Sequence, residues 1–448
     1  MKRLSPVLLL AGAVAVAYLN SFRGVFQYDD YNVIVDNGGV HAWGAYLAGL
    51  PRGIRPFLKF TYTLNWTSGL GLFGFHLVNA GLHAANAVML FLLASRVGGP
   101  SVSRFAALLP ALLFAVHPVQ TEAVTYISGR SVSLMAFFYL GSLLAWLRGR
   151  ERGSRLLLYA ASPALFLLAV ASKEVALTLP FALLLCGAAR RDGTGWVETL
   201  RAQAVHWVLL LALAALFLSH VGYGRLLEAC FAIRGASANL LTQVHGIGYL
   251  LSRLVMPHAL NIDPDLPVHA VGSPVPLPGA LLLAALLAAG IVGLIKRSPA
   301  GFGILWFFLH LVPTNSFIPR LDVANEPQLY LASWGLFLAV AAGADLLREK
   351  RGARRVTTAV AAVLVVALGA LTVSRNAVYR SEVALWEDSV RRSPGKARGW
   401  NNLGYAYEQA GRFRDAEAAY LRALRVDPGH PLARGNLRGV RGRTDPAR

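Results

Sequence analysis

The chain of 448 residues is poor in charged residues and in cysteine. Charged residues make up 15% of it, whereas soluble domains contain about 25%. The two cysteines, Cys186 and Cys230, are too few for a framework of disulfide bonds, and Cys186 lies in an apolar run. Because 55% of the residues are hydrophobic, these shortages argue against a soluble or disulfide-stabilised domain and point to lipid surroundings.

Acidic residues are scarcer than basic ones, and the formal net charge is +20. A charge of this sign is also common in proteins that bind nucleic acid. Here the basic residues concentrate in short loops between apolar segments and in the C-terminal tail, which is the distribution that the positive-inside rule predicts for membrane proteins. We therefore expect membrane lipids, and no nucleic acid, as partners.

Repeated apolar windows of about 15 to 22 residues predict an all-α, polytopic membrane protein with about eleven spans. The predicted spans lie near 5–20, 74–95, 104–118, 126–147, 155–172, 175–189, 204–221, 276–295, 301–314, 328–346 and 355–374. The first window is either a retained anchor or a cleavable signal sequence, because Ala15-Val16-Ala17 resembles a cleavage site. Both alternatives leave the following loop on the outer side.

Lysine and arginine placement orients these spans. Basic residues fill alternate loops, at 2–3, 96–104, 148–155, 190–201, 296–297 and 348–355, which we predict to be cytoplasmic. The remaining loops carry acidic and mixed-charge motifs, namely "YDD" at 28–30, "IRPFLKFTYTLNW" at 54–66, "HPVQTEAV" at 117–124, "SKE" at 172–174, the long segment 222–275 and "NEPQLYLASWG" at 325–335. We expect these motifs, and the C-terminus, on the periplasmic or exterior face, with the bacterial inner membrane as the location.

The last part of the chain is polar and predicts two domains, a membrane domain at 1–375 and a soluble helical domain at 376–448. Eight residues have the spacing of one 34-residue tetratricopeptide repeat: Trp400, Leu403, Gly404, Tyr407, Ala416, Tyr420, Ala423 and Pro428. One repeat cannot bury its own apolar face, so we expect it to pack on the membrane domain or on a partner. The repeat serves either as a docking surface for a polypeptide or as a capping element that only stabilises the fold.

Five motifs in this order resemble the TMTC proteins (transmembrane and tetratricopeptide-repeat-containing proteins) and their bacterial relatives. They are "FQYDDYNVIVDN" from Phe26, "RPFLKFTYTLNW" from Arg55, "FHLVNAGLHAANAVMLFLL" from Phe75, "LFAVHPVQTEAVTYISGR" from Leu113 and "ASKEVALTLP" from Ala171. The resemblance implies a GT-C glycosyltransferase fold and an enzyme that takes a sugar from a polyprenyl-phosphate carrier. Eukaryotic members of the family are associated with protein O-mannosylation, which makes mannose the sugar that the resemblance implies.

The outer loops lie where the phosphate of a lipid-linked sugar meets water. A carboxylate at this level can accept the proton of an attacking hydroxyl, and direct displacement then inverts the anomeric carbon. We therefore predict Asp29 and Asp30 as catalytic residues, with Asp29 as the base and Asp30 as an orienting neighbour, although their adjacency leaves the choice of base between them open. The alternative for both is a turn or helix-capping pair in the first outer loop.

Further residues of the outer motifs are candidates for binding the donor and the acceptor. Fixed positive charge suits the phosphate, and carboxylate, hydroxyl and imidazole groups suit the sugar and acceptor hydroxyls. The predicted substrate-binding residues are Arg55, His76, His117, Glu122, Arg130, Lys173, Glu174, Arg320, Glu326 and Tyr330. The alternative for each is an ion pair or a contact with lipid headgroups.

No metal site is evident in the sequence. His76 and His83 share a helix face but are about 10.5 Å apart along its axis, too far to bind one ion. We therefore expect metal-independent transfer, with the lipid-linked sugar as the donor and no other cofactor. In the segment 222–275 the apolar spacing predicts an interfacial helix, and Asp263 and Asp265 receive no role.

The predicted function is transfer of a sugar from a polyprenyl-phosphate carrier to a hydroxyl, with serine or threonine of exported proteins as the acceptor that the repeat domain suggests. A noncatalytic membrane scaffold that recruits periplasmic proteins is the main alternative, and it gains from departures from the family motifs at Gln120 and at Val132-Ser133. A transporter is the third, but its binding groups would lie near the membrane midplane rather than at the ends of spans.

Overall fold

The structure is a computed structural model that describes residues 4–97, 102–190, 195–219, 221–270, 272–274, 276–350 and 352–444. Within these ranges it contains no strand, which confirms the all-α prediction. The α-helices are α1 Leu4–Tyr18, α2 Trp43–Gly49, α3 Pro56–Thr67, α4 Gly71–Val97, α5 Arg104–Val116, α6 Thr121–Val124, α7 Arg130–Arg152, α8 Ser162–Ser172, α9 Leu179–Ala189, α10 Trp196–Ala202, α11 Ala204–Ser219, α12 Val221–Ile233, α13 Ala236–Val255, α14 Leu277–Ile295, α15 Pro299–Leu311, α16 Leu329–Arg348, α17 Ala353–Asn376, α18 Glu382–Arg392, α19 Ala397–Gln409, α20 Phe413–Val426 and α21 Pro431–Thr444.

Short 3₁₀ and π turns join these helices. The 3₁₀ turns are Leu19–Arg23, Gly38–Val40, Leu50–Arg52, Pro118–Gln120, Ile127–Gly129, Glu174–Thr178, Pro257–Ala259, Glu326–Gln328 and Ala377–Arg380, and the π turns are Tyr31–Val35 and Leu157–Ala161. Several of them occur at the ends of apolar helices, where they present polar side chains.

Each apolar window predicted to span the membrane contains an α-helix within the described residues. Six helical segments within the described ranges are long and apolar enough to cross a bilayer: Ser5–Arg23, Gly71–Val97, Ile127–Arg152, Leu277–Ile295, Glu326–Arg348 and Ala353–Arg380. A bent pair, Arg104–Val116 with Pro118–Val124, and four shorter apolar helices, Leu157–Ser172, Glu174–Ala189, Ala204–Ser219 and Pro299–Leu311, occupy the remaining predicted positions. The chain is a multi-pass membrane protein.

The bend in the broken pair follows from its sequence. Pro118 disfavours helical backbone at the residue before it, and His117 accordingly adopts an extended conformation, so the helix turns by 55°. The His117 Nδ1 accepts the Val119 N–H at 3.1 Å and begins the next turn. This break turns the "HPVQTEAV" motif across the end of the bundle.

The two sets of predicted loops lie at opposite ends of the helices. Helix α7 begins at the outer motif that contains Arg130 and ends among basic residues at Arg152. At that basic end, Glu151 pairs with Arg190 at 3.3 Å, so two predicted cytoplasmic loops meet there. Parts of these predicted loops, at 2–3, 98–101, 191–194 and 351, lie outside the described residues.

The segment predicted to contain an interfacial helix forms α12 and α13; its positions 271 and 275 lie outside the described residues. In α13 the polar side chains face the protein, where Asn239 donates to the Ser316 carbonyl at 2.6 Å and Gln243 donates to the Val323 carbonyl at 3.1 Å. The apolar side chain of Leu240 is 52% exposed instead. A helix with its polar side inward and its apolar side outward suits lipid surroundings, because those polar groups find partners only inside the protein.

The C-terminal helices α18 to α21 pack in succession, and α19 with α20 forms the tetratricopeptide hairpin. Gly404 permits the close approach of these two helices, since a Cβ there would lie 2.5 Å from the Tyr420 ring. The Tyr420 hydroxyl donates to Glu408 at 2.9 Å, which fixes the ring between the helices. Gly404, one of the eight residues with the repeat spacing, therefore lies where the two helices approach closely.

The repeat region packs on the membrane domain, as the shortness of the array predicts. Trp386 of α18 makes an edge-to-face contact with Tyr28, with ring centroids 5.2 Å apart. Arg398 of α19 forms ion pairs with Asp263 and with Asp322, the latter at 2.6 Å. Asp263, which receives no role from the sequence, is thus a buried anchor for the repeat region.

The substitution Gly404→Ala tests this hairpin. The added methyl group must displace the rigid Tyr420 ring, which we expect to destabilise the hairpin by about 1–3 kcal/mol. The matched change Gly439→Ala in α21 adds a methyl group that meets no described atom within 4 Å, and should be neutral or stabilise by up to about 1 kcal/mol. Hydrogen exchange of α19 and α20 in the full-length protein in detergent measures the difference, and equal protection in both variants would contradict the packing.

Candidate active site

Loops from the predicted outer face converge on one cavity of about 280 Å³ at the end of the bundle. Its lining combines charged groups with apolar side chains of α3, α7 and α16. It is formed by Asp29, Val33, Arg55, Leu58, Tyr62, Glu122, Tyr126, Ser128, Gly129, Ser131, Val132, Met135, Lys173, Val175, His310, Thr314, Arg320, Asn325, Pro327, Gln328 and Leu331. The structure therefore brings together five of the residues predicted from sequence: Asp29, Arg55, Glu122, Lys173 and Arg320.

Asp29 presents an unengaged carboxylate to this cavity. Its backbone N–H donates to the Tyr126 hydroxyl at 2.9 Å, whereas its side chain accepts no hydrogen bond from another described residue. Burial raises the pKa of the Asp29 carboxyl above its ordinary value, Arg398 opposes this rise, and Asp322 adds to it. A raised pKa makes the carboxylate a stronger proton acceptor.

Asp30 points into the protein rather than into the cavity. Its Oδ2 accepts the Gln27 N–H at 3.0 Å and its Oδ1 accepts the Ser128 N–H at 2.7 Å. The side chain is fully buried, and burial raises its pKa to about 7 even though both N–H groups favour the carboxylate. Asp30 thereby joins the loop that carries Asp29 to the turn before α7, and its orienting role in catalysis stays a prediction.

Three cations line the cavity. Arg55 pairs with Glu174, with Nη2 2.9 Å from Oε2, while Lys173 and Arg320 form no ion pair with another described residue. Burial and the neighbouring charges of Arg55 and Arg320 lower the pKa of Lys173 to about 7. Burial also lowers the pKa of Arg320. Cations that depress one another in this way form a site that an anion would stabilise.

Backbone conformation at the cavity is unusual. Tyr28 and Arg55 have φ values of 47° and 53°, in the left-handed region that residues with side chains rarely adopt. Arg55 also precedes Pro56, which restricts its backbone further. Such conformations cluster at functional sites, because they persist only where the surroundings impose them.

Two carboxylates predicted to bind substrate have different surroundings. Glu122 lines the cavity and is 6% exposed, and its Oε2 has no hydrogen-bond partner among the described residues. Glu326 does not line the cavity: it is fully buried, its Oε1 accepts the Asn261 N–H at 2.5 Å, and its Oε2 also has no hydrogen-bond partner among the described residues. Glu122 is therefore placed to meet a ligand hydroxyl, whereas Glu326 holds the chain segment that leads to Asp263.

The prediction that Arg130 binds donor phosphate is not supported by its position. The guanidinium is fully buried, donates to Asn79 Oδ1 at 2.7 Å and to the Phe75 carbonyl at 3.0 Å, and lies over the Tyr62 ring. Its donors are thus used to join α3, α4 and α7. Arg130 supports the wall of the cavity from behind and does not line it.

His76, His117 and Tyr330 also lie away from the cavity lining, which corrects their predicted contact with substrate. The Nε2 of His76 bonds the Gly24 carbonyl at 3.2 Å, and the Nε2 of His117 bonds the Leu254 carbonyl at 3.2 Å. The Tyr330 hydroxyl meets His83 Nδ1 at 2.9 Å. These polar groups satisfy one another or the backbone inside the apolar bundle, which is the requirement that lipid surroundings impose.

Sequence reasoning missed several cavity residues. Asn325 and Gln328 belong to the motif from which Glu326 and Tyr330 were chosen, and Tyr126 ends the "HPVQTEAVTY" run. His310 is an isolated polar residue in the apolar helix α15, which is a signal for function in membrane spans. In the 3₁₀ turn Glu326–Gln328 neighbouring side chains diverge, so the motif alone does not tell which ones face the cavity.

The described residues contain no group of three or more His, Cys, Asp or Glu side chains placed to hold a metal ion. Metal-independent transfer stays a prediction.

Comparisons with known proteins agree with the motifs. Residues 397–430 match the family model described as tetratricopeptide repeat. The chain is 25% identical over 94% of its length to mouse protein O-mannosyl-transferase TMTC3, and 26% identical over 95% of its length to human TMTC3. This chain resembles the TMTC proteins along almost its entire length. Over 40% of its length it is 36% identical to Drosophila melanogaster protein O-mannosyl-transferase Tmtc1.

The chain spans about half the length of the TMTC3 relatives, 51% of the mouse protein and 52% of the human one, and 22% of Drosophila Tmtc1. Among solved structures, the Archaeoglobus fulgidus oligosaccharyltransferase tethered with an acceptor peptide superposes with a TM-score of 0.42 at 16% identity. That match covers 92% of this chain and 58% of the other. It is too weak to decide the fold.

The contrast between the two aspartates generates a stability prediction. Asp30→Ala leaves the Gln27 and Ser128 N–H groups without their acceptor, at about 1–3 kcal/mol for each buried donor. Asp29→Ala removes no hydrogen bond from the described structure and should change the stability by less than about 0.5 kcal/mol. Thermal unfolding of the purified protein in detergent checks both, and equal midpoints for the two variants would contradict the assignment of Asp30 as a structural carboxylate.

Proposed function

We propose that the chain is a membrane glycosyltransferase that moves a sugar from a polyprenyl-phosphate carrier to a hydroxyl acceptor. The observation that carries this proposal is the shared cavity of the unengaged Asp29 carboxylate and the cations Arg55, Lys173 and Arg320. The relatives named protein O-mannosyl-transferases support mannose as the sugar and a protein as the acceptor. The family resemblance carries with it the expectation of a GT-C-like arrangement.

The cation cluster suits a phosphate at the membrane boundary. Lys173 directly follows the last residue of α8, and Arg55 directly precedes the first residue of α3. Both charges therefore lie at helix termini. The apolar wall formed by Val132 and Met135 continues from the same cavity into α7. A carrier phosphate bound by the cations would leave its polyprenyl chain against apolar surface.

The transfer step uses Asp29 as the base. The acceptor oxygen attacks the anomeric carbon and forms the new glycosidic bond while its proton passes to the Asp29 carboxylate. The bond from the anomeric carbon to the carrier phosphate breaks, and polyprenyl phosphate leaves with the bonding electrons. The cations stabilise the charge that builds on this leaving group. Direct displacement inverts the anomeric configuration.

The sidedness of the reaction follows from the predicted loops. The cavity collects the motifs of the outer set, and the basic loops meet at the other end of the helices. We assign the cavity to the outer face of the membrane, which is the periplasmic face in a bacterial inner membrane. Serine and threonine side chains of exported proteins are the acceptors that this placement favours.

Replacement of Asp29 tests the proposal. Asp29→Asn should reduce transfer by about 10²–10⁴-fold, because an amide cannot accept the hydroxyl proton. Asp36→Asn is the matched control, since Asp36 is an exposed carboxylate in the same loop and does not line the cavity. Membranes that contain each variant are supplied with polyprenyl-phosphate mannose and a serine- and threonine-containing peptide, and hexose addition is measured by mass spectrometry. Full transfer by Asp29→Asn would reject Asp29 as the base. Equal hexose levels on exported proteins in cells with and without this chain would favour the scaffold alternative.

The pH dependence of kcat/KM should be bell-shaped. Asp29 must be ionised, so activity rises as the pH passes the raised pKa of its carboxyl. Lys173 must be charged to hold the phosphate; since its pKa is lowered to about 7, the charge is present below pH 7 and is lost above it, and kcat/KM falls there. Lys173→Arg should remove this alkaline decline up to about pH 9, because a guanidinium stays charged.

Lys59→Arg, outside the cavity lining, is the control for the pH profile and should leave both limbs in place. An alkaline limb that survives in Lys173→Arg would show that another group causes the decline.

A further inference from the structure

The loop that carries Asp29 is held from two sides. From the membrane domain, the Tyr126 hydroxyl accepts the Asp29 N–H at 2.9 Å. From the C-terminal region, the Tyr379 carbonyl accepts the Gln27 side-chain N–H at 2.5 Å, and Glu382 Oε1 accepts the Tyr28 N–H at 2.9 Å. The two residues that precede Asp29 are therefore bonded to the segment that leads into the repeat.

The contact with α18 acts on the strained residue of the loop. Tyr28 has φ 47°, and its N–H donates to Glu382 while its ring packs edge-to-face on Trp386, one helical turn further along α18. A backbone conformation of this kind costs about 1–3 kcal/mol and persists only where its surroundings hold it. Glu382 and Trp386 both belong to α18 and, one turn apart, lie on the same face of that helix.

The position of α18 is itself fixed by charge. Asp388 of α18 pairs with Arg375 at the end of α17 at 2.6 Å, and Arg392 at the end of α18 donates to the His258 carbonyl at 2.9 Å. Arg398 of the following helix pairs with Asp322 at 2.6 Å. The helix that contacts Tyr28 is thus joined to the membrane domain by its own side chains and by Arg398 of the next helix.

We propose that Glu382 is a positioning residue, which holds the Tyr28 backbone so that the next residue, Asp29, projects its carboxylate into the cavity. This inference rests on the function proposed for Asp29. It makes α18, the helix before the tetratricopeptide repeat, a structural part of the reaction centre. The repeat region then has a role beyond docking a polypeptide or capping the chain.

Three variants of the full-length protein test the proposal. Glu382→Ala removes the acceptor of the Tyr28 N–H, Glu382→Gln keeps an oxygen acceptor of the same length, and Glu387→Ala is the matched control on the same helix. Glu387 accepts the Tyr407 hydroxyl at 2.7 Å inside the repeat region, and within the described residues it forms no hydrogen bond or ion pair with the loop. Both substituted positions lie in α18 and their backbone hydrogen bonds do not depend on the side chain, so we expect all three variants to fold.

Hydrogen–deuterium exchange of peptides that cover 24–36 is the first measurement. In Glu382→Ala the amides of this loop should exchange at least about 10-fold faster than in the wild type, whereas Glu382→Gln and Glu387→Ala should exchange within about 2-fold of it. Loop protection that is unchanged in Glu382→Ala, or lost equally in Glu387→Ala, would overturn the proposal. This arm needs no substrate and does not depend on the proposed reaction.

Steady-state transfer is the second measurement. Glu382→Ala should lower kcat by about 10- to 100-fold with the donor KM within about 2-fold, because a displaced base impairs the reaction and leaves the phosphate site intact. Glu382→Gln should restore most of kcat. An unchanged kcat in Glu382→Ala, with Asp29→Asn inactive, would overturn the positioning role while leaving the proposed function in place. If Asp29→Asn transfers normally, the proposed function fails instead, and exchange alone then decides whether Glu382 holds the loop.

Discussion

Repulsion among partly buried positive charges is the constraint on which the candidate site depends. Arg55, Lys173 and Arg320 share one cavity at the end of an apolar bundle, and burial together with the two neighbouring guanidinium groups lowers the pKa of Lys173 to about 7. Glu174 compensates Arg55 through two oxygens. A structure that keeps the other two charges close together is costly unless an anion binds there, since each charge disfavours the next. A ligand phosphate would turn this repulsion into binding energy.

The adjacent carboxylates Asp29 and Asp30 have different surroundings because successive residues of a turn project in different directions. Asp30 turns inward, where two N–H groups saturate its oxygens, and Asp29 turns toward the cavity. The inward carboxylate fixes the loop against the turn before α7, and this fixation determines where the outward carboxylate lies. The two aspartates look redundant in sequence, but in the structure Asp30 holds the loop and Asp29 faces the cavity.

Elements whose physical cause is local were predictable from sequence. The length of the apolar runs indicates the helices, and Pro118 indicates the break after α5. The spacing of Gly404 and Tyr420 indicates the repeat hairpin. The residues that line the cavity were only partly predictable from the sequence. A buried Arg130 and a cavity-lining Lys173 look alike in sequence, because polarity marks both, and only the carbonyl and amide partners of Arg130 distinguish them.

Long-range pairs were the least predictable. Asp263 lies in a proline-flanked loop, yet it is 3% exposed, because Arg398 and Lys396 reach it from the repeat region. Although burial opposes ionisation of this carboxyl, these two cations hold its pKa below the ordinary value. No local pattern records a partner more than a hundred residues away.

These ion pairs also bear on the division of the chain into domains. The boundary predicted between residues 375 and 376 falls in the last turn of α17, which runs on into the turn Ala377–Arg380 and then α18. Tyr28 of the first outer loop shares a hydrophobic cluster with Trp386 and Leu403. Since a single repeat cannot bury its own apolar face, the membrane domain supplies the missing surface. The packing of Tyr28 on Trp386 and Leu403 also supports the loop that carries Tyr28, which the membrane helices alone do not hold in this way. The membrane domain and the repeat region therefore stabilise one another.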